Sequence, residues 1–158
     1  MDKITKSGIR VLVEAGDERA VLALFDEDPH RVQRFLKRLA CAPDAACHAR
    51  TIACFRMLSR ERSARMPEFF RETVRRSLWE MNEEGGNVAW SAPEIAAAVV
   101  AGAPERYGQF ASYLIMAALD EPTFQPSLLA AADLLAEADP ALVEEFLPEL
   151  ESVRSALG

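Results

Sequence analysis

The sequence predicts an all-α solenoid: about four helix pairs plus a terminal helix, stacked in a row as a single domain over residues 1–158. Three observations carry this expectation. Pro29, Pro67, Pro104 and Pro140 follow one another at intervals of 38, 37 and 36 residues. Each opens a run whose apolar side chains recur at steps of three and four, the spacing of one helix face. Nowhere do apolar and polar residues alternate with period two for more than four residues, so no strand is expected.

The elements follow in order. Two helices, about 2–15 and 18–27, precede the first scheduled proline, divided by Gly16-Asp17, a C-cap followed by an N-cap. After Pro29 come Val32, Phe35, Leu36 and Leu39, with Asp28 placed to cap the helix. A partner helix covers 43–60, and Pro67 opens the run Phe70, Val74, Leu78 and Met81. The next partner spans 92–101, followed by Tyr107, Phe110, Leu114 and Ile115 after Pro104. A partner at 123–138 leads to Asp139-Pro140 and then Val143, Phe146 and Leu150, in a helix that Pro148 is expected to kink or split. The count is nine helices. No such pair carries enough apolar surface to stand alone, so each buries its stripe against the next.

Composition excludes several classes. Half of the 158 residues are apolar and 27% are charged, which fits neither a disordered tail nor a membrane protein. The uncharged stretch Ile95–Pro104 is far short of the roughly 20 residues that span a bilayer. Met1-Asp2-Lys3-Ile4-Thr5-Lys6 lacks the apolar run of a secretory signal, and three cysteines fit a reducing cytoplasm better than a disulfide scaffold. The net charge of −7 is unevenly spread: residues 1–80 sum to +4 and residues 81–158 to −11, while Arg31–Arg76 holds 12 basic and 4 acidic side chains. Such a dipole steers charged partners, and a basic front with an acidic back allows self-association.

The proline register and helix-pair spacing resemble those of HEAT-like (armadillo-like) repeat proteins over nearly the whole chain. Within it, Trp79-Glu80-Met81-Asn82-Glu83-Glu84-Gly85-Gly86, then Trp90 and Ala92-Pro93-Glu94, look like a stretch of bacterial HEAT-like proteins without a described activity. The resemblance implies a right-handed stack whose second helices line one surface. It also implies a binding scaffold rather than a reaction.

One joint is longer than the rest, the ten residues Asn82–Ser91. Overlong loops on a repeat scaffold commonly carry binding residues. Part of this one has a structural reading: a glycine to end the preceding helix, Ser91 and Glu94 at capping-box spacing, and Trp90 with Ile95 as a hydrophobic staple. Asn82, Glu83, Glu84 and Asn87 have no such duty, and two carboxylates at a helix C-terminus oppose its dipole. With Trp79 and Trp90 they are the first candidate contact residues for another protein. Arg56 and Arg60, opposite the apolar stripe of their helix, and Arg71 with Arg75 on the next, are the second. The alternative is a nucleic-acid-binding repeat protein using the basic stretch 50–76, against which stand the overall charge and the scarcity of cations after residue 76.

Reaction chemistry finds little footing. Cys41, Cys47, Cys54 and His48 lack zinc-site spacing, and Cys47, Cys54 and His48 fall on or beside the apolar stripe of Ile52, Phe55 and Leu58. Neither His30 nor His48 adjoins a nucleophile turn, and Gly85-Gly86 is not a phosphate loop. The chain is therefore expected to be no enzyme, with no cofactor, no metal and no membrane partner.

Overall fold

The computed structural model describes residues 4–82 and 90–158. Local capping chemistry sets most helix starts. The Thr5 hydroxyl accepts the Gly8 amide at 3.0 Å and opens α1 (Lys6–Glu14). Gly16, at φ +71°, then reverses the chain in the left-handed region open to glycine. Asp17 accepts the Ala20 amide at 3.1 Å to start α2 (Glu18–Glu27), and Asp28 accepts that of Arg31 at 3.2 Å to start α3 (Pro29–Ala40). Asp44 takes the Ala46 and Cys47 amides at the head of α4 (Ala45–Arg62), and α5 (Pro67–Asn82) and α6 (Ala92–Gly102) follow. The remaining helices are α7 (Pro104–Tyr107), α8 (Ala111–Leu119), α9 (Gln125–Ala138) and α10 (Leu147–Leu157). The described residues contain no strand.

Two expectations about the later helices change. The single helix expected after Pro104 is broken, because Tyr107 leaves helical geometry (φ −119°, ψ 3°) and a 3-10 turn over Gly108–Phe110 precedes α8. Tyr107 is an anchor here, fully buried with its hydroxyl donating to the Pro67 carbonyl at 2.8 Å. After Pro140 the chain makes two 3-10 turns, Pro140–Leu142 and Glu144–Phe146, before α10 begins. Pro148 thus sits in the first turn of a helix instead of kinking one, a position where its missing N–H costs nothing.

One core runs from Ile9 to Leu150, and α6 lies in its middle. Every residue of α6 from Ala92 to Ala101 is buried. The helix packs chiefly on α4 and α9, then on α5, with α8 on a smaller scale. Its residues are small: Ala92, Ala96, Ala97, Ala98, Ala101 and Gly102 let neighbouring backbones come close. The Ser59 hydroxyl of α4 donates to the Val99 carbonyl of α6 at 2.7 Å, and Arg56 of α4 reaches past α6 to Glu137 of α9 at 3.0 Å. Of the second helices expected to form an exposed row, the middle one is therefore enclosed and lines no surface.

The closest approach is at Gly102. A Cβ there would run into the Arg56 carbonyl oxygen and lie 2.8 Å from Ser59 Cβ and 2.9 Å from the Arg60 amide nitrogen. Two helix backbones cannot yield cheaply. Gly102→Ala should cost about 1–3 kcal/mol of stability, read as a lower urea midpoint with an unchanged slope.

Candidate functional site

A concave surface lies between α3 and α5. It is a groove of about 580 Å³ lined by His30, Gln33, Arg34, Lys37, Arg38, Phe69, Glu72, Thr73 and Arg76. The two helices are held side by side by direct links. The Gln33 side chain donates to the Thr73 hydroxyl on the floor, and Lys37 meets Glu80 at 3.3 Å near the far end. Behind the groove, Phe25 of α2 packs on Phe69 and Phe70 of α5 with ring centres 5.4 and 5.9 Å apart, fixing the pitch of α5. A second depression of about 520 Å³ continues along α5, lined by Glu72, Arg75, Arg76, Trp79 and Glu80.

The charge of this surface is predominantly positive. Glu72 and Glu80 are partly spent on Arg76, at 3.8 Å, and on Lys37. Among the described residues Arg34, Arg38 and Arg75 have no carboxylate partner. Arg31, Arg34 and Arg38 are instead gathered round the Phe35 ring, their guanidinium carbons 5.3, 5.9 and 5.9 Å from its centre. Arg31 also donates to the Ile4 carbonyl at 2.7 Å, leaving Arg34 and Arg38 to face outward one turn apart. Trp79 closes the far end with 63% of its surface exposed.

A different cluster stands where the α5–α6 joint meets the body. His48 of α4 donates or accepts at both ring nitrogens, to Glu94 at 2.8 Å and to the Ala40 carbonyl at 2.7 Å. Trp90, 37% exposed, lies against the imidazole with ring centres 5.0 Å apart and planes 29° from parallel. The capping box expected of Ser91 and Glu94 does not form. Ser91 makes no side-chain capping bond to α6, its hydroxyl standing 4.0 Å from the Cys41 sulfur, and the Glu94 carboxylate is drawn to His48 instead of back to the Ser91 amide. Trp90 accordingly stacks on His48. The hydrogen bond to Glu94 raises the His48 pKa, and the Ala40 carbonyl adds to this against the opposing effect of burial.

The residues singled out from sequence separate into distinct places. Glu83, Glu84 and Asn87 lie outside the described residues. Asn82 is exposed at the end of α5 and donates to the Leu78 carbonyl at 2.8 Å. Trp79 and Arg75 belong to the groove, Trp90 to the His48 cluster. Arg71 turns away from the groove, paired with Glu68 and 6.0 Å from the Tyr107 ring centre. Arg56 is engaged by Glu137, and Arg60 by Glu61 at 3.6 Å. The four arginines therefore do not join into one patch. Sequence reasoning passed over Arg34, Lys37 and Arg38, although a signal was there. The 38-residue step from Pro29 to Pro67 carries Lys37-Arg38 onto Arg75-Arg76, so equivalent cations fall on neighbouring helices.

Both His48 nitrogens are already used, and burial pushes the Cys54 thiol up to about 12, far from a thiolate at neutral pH. Among the described residues no three His, Cys, Asp or Glu side chains are grouped to hold a metal, and no helix is long and apolar enough to cross a membrane. No protein-family model, curated protein or solved structure matches this chain.

The two tryptophans should separate cleanly in unfolding experiments. Trp90→Ala removes a stacked partner of His48 and should cost about 1 kcal/mol or more. Trp79→Ala, at an exposed site, should stay within about 0.5 kcal/mol of the unaltered chain.

Proposed function

We propose that the chain is a non-enzymatic protein-interaction module that holds an acidic segment of another protein in the α3–α5 groove. The observation that carries this reading is the set of arginines with no carboxylate partner among the described residues, Arg34, Arg38 and Arg75, on a concave surface ending in an exposed tryptophan. Arginine and tryptophan are the side chains that most often dominate binding energy. Gathering round Phe35 restricts the guanidinium groups before a partner arrives, so less freedom is lost on binding. Asn82, exposed at the end of α5, and Glu83, Glu84 and Asn87, which lie outside the described residues, remain in this reading as contacts for basic groups of the partner.

The architecture belongs to the same proposal. We read α3 with α4, α5 with α6, and α8 with α9 as successive pairs of a short HEAT-like stack, in the cytoplasm. What supports this is that α4 and α9 flank α6 on one level, while α5 adjoins both α8 and, through Gln33–Thr73, α3 on the other. The enclosure of α6 by α4 and α9 moves the binding face to the first helices of the pairs, away from the second-helix surface that repeat scaffolds of this kind would offer.

A nucleic acid is the competing occupant, favoured by the same exposed arginines. Glu72 and Glu80 on the groove wall weigh against it, since each opposes a run of phosphates. Fluorescence anisotropy with a labelled Glu-rich helical peptide containing one aromatic residue, and with a labelled oligonucleotide, separates the two. The peptide should bind, and Arg34→Glu, Arg38→Glu and Arg75→Glu together should weaken it about tenfold or more without lowering the melting temperature. Binding of the oligonucleotide alone, lost steeply with salt, would hand the groove to nucleic acid.

A further inference from the structure

His48 is held in a way that only its protonated form satisfies. Its two ring nitrogens face two acceptors, the Glu94 carboxylate at 2.8 Å and the Ala40 carbonyl at 2.7 Å. A neutral imidazole has one N–H, so it would turn a lone pair toward one of these oxygens. The imidazolium donates to both. Glu94 is only 7% exposed, and without a proton on the facing nitrogen its carboxylate would be buried unpaired. The three groups come from separate parts of the fold: Ala40 ends α3, His48 lies in the second turn of α4, and Glu94 lies in the first turn of α6. Trp90, directly before α6, is stacked on the same ring.

We propose that His48, Glu94 and Trp90 form a proton-operated clasp: the imidazolium ties α3 and α4 to the start of α6, and its deprotonation releases Trp90 and Ser91. The clasp stands at the start of α6, so it sets how firmly Trp90, Ser91 and that helix end are held to α3 and α4. It holds independently of what the groove binds.

The surroundings leave Glu94 as the one charged partner of the ring among the described residues. On α4 itself, Asp44 is committed to the Ala46 and Cys47 amides, and Arg50 donates to the Glu14 carbonyl. On α3, Lys37 is paired with Glu80, and the Cys41 thiol just beyond the helix faces the Ser91 hydroxyl at 4.0 Å. On α6 the only ionisable side chain is Glu94. The folded pKa of His48 is raised, so the tie contributes fully below the unfolded histidine value of about 6.5 and is lost as pH rises through the folded one. The clasp is closed below the unfolded value and opens as pH rises past the folded midpoint.

A proton NMR titration of the histidine ring signals tests this directly, with His30→Gln, an exposed change, identifying the His48 signal. Trp79→Phe leaves Trp90 as the sole tryptophan, so fluorescence reports the stacked indole alone. The expected result is a His48 midpoint at higher pH in the folded chain than in the same chain in urea. Trp90 fluorescence should change along the same curve. Glu94→Gln should move the midpoint to lower pH, and His48→Gln should abolish the fluorescence response. If either variant fails to fold, the two titrations of the folded chain decide by themselves. A His48 midpoint equal to or below that of the unfolded chain, or a Trp90 signal indifferent to it, would overturn the clasp.

Discussion

The structure depends on how closely other helices can approach α6. An eleven-residue helix buried on nearly every side leaves no room for long side chains, and its alanines, valines and Gly102 meet that demand. Interiors are packed as densely as organic crystals, so distance between helix axes is traded directly against side-chain size. Because α6 is slim, α4 and α9 can close past it and bond through Arg56 and Glu137. The same closure turns the remaining helices outward. α3 and α5, which pair with α4 and α6, are left with one face each toward solvent, and the groove is the gap between those faces.

The groove then draws its character from which residues those faces can spare. On α5 the buried side takes Phe70, Thr73, Val74, Ser77 and Met81, leaving Glu72, Arg75, Arg76 and Trp79 outside. On α3 it takes Val32, Leu36 and Leu39, leaving His30, Arg34 and Arg38. Solvent-facing arginines are ordinary. What distinguishes these is that the carboxylates that would usually accompany them are fewer and partly engaged elsewhere, Glu80 with Lys37 and Glu68 with Arg71. Rim charges of this kind set association rate and partner choice more than affinity, which suits a chain whose own ends carry opposite charge.

Much of the helix plan was legible because it is written locally. Asp17, Asp28 and Asp44 cap by contacts within three residues, and Gly16 needs only its own backbone. Where tertiary contacts compete with local signals, reading residues in order fails. Glu94 looks like a capping residue from its spacing to Ser91, but a histidine 46 positions earlier offers a stronger partner. The break at Tyr107 has the same origin: the side chain is committed to a carbonyl 40 positions away, and the helix gives way to keep that bond. The basic patch was half legible. Arg75 was legible from its helix face, whereas Lys37 and Arg38 required laying the segment after Pro29 over the one after Pro67. Arg56 and Arg71 looked equally open in sequence because nothing local announces Glu137 or Tyr107.

The burial of α6 also has a bearing on how the molecule comes apart. Repeat arrays commonly fray from their ends, since each unit leans only on its neighbours and terminal units can melt while the middle persists. Here the middle is shared: α4 and α5 on one side and α8 and α9 on the other use the same alanine-rich surface as their floor. Removing that floor exposes both flanks at once. Denaturation is thereby pushed toward a single all-or-none event, the behaviour of a small globular protein, even though its prolines recur at near-even intervals.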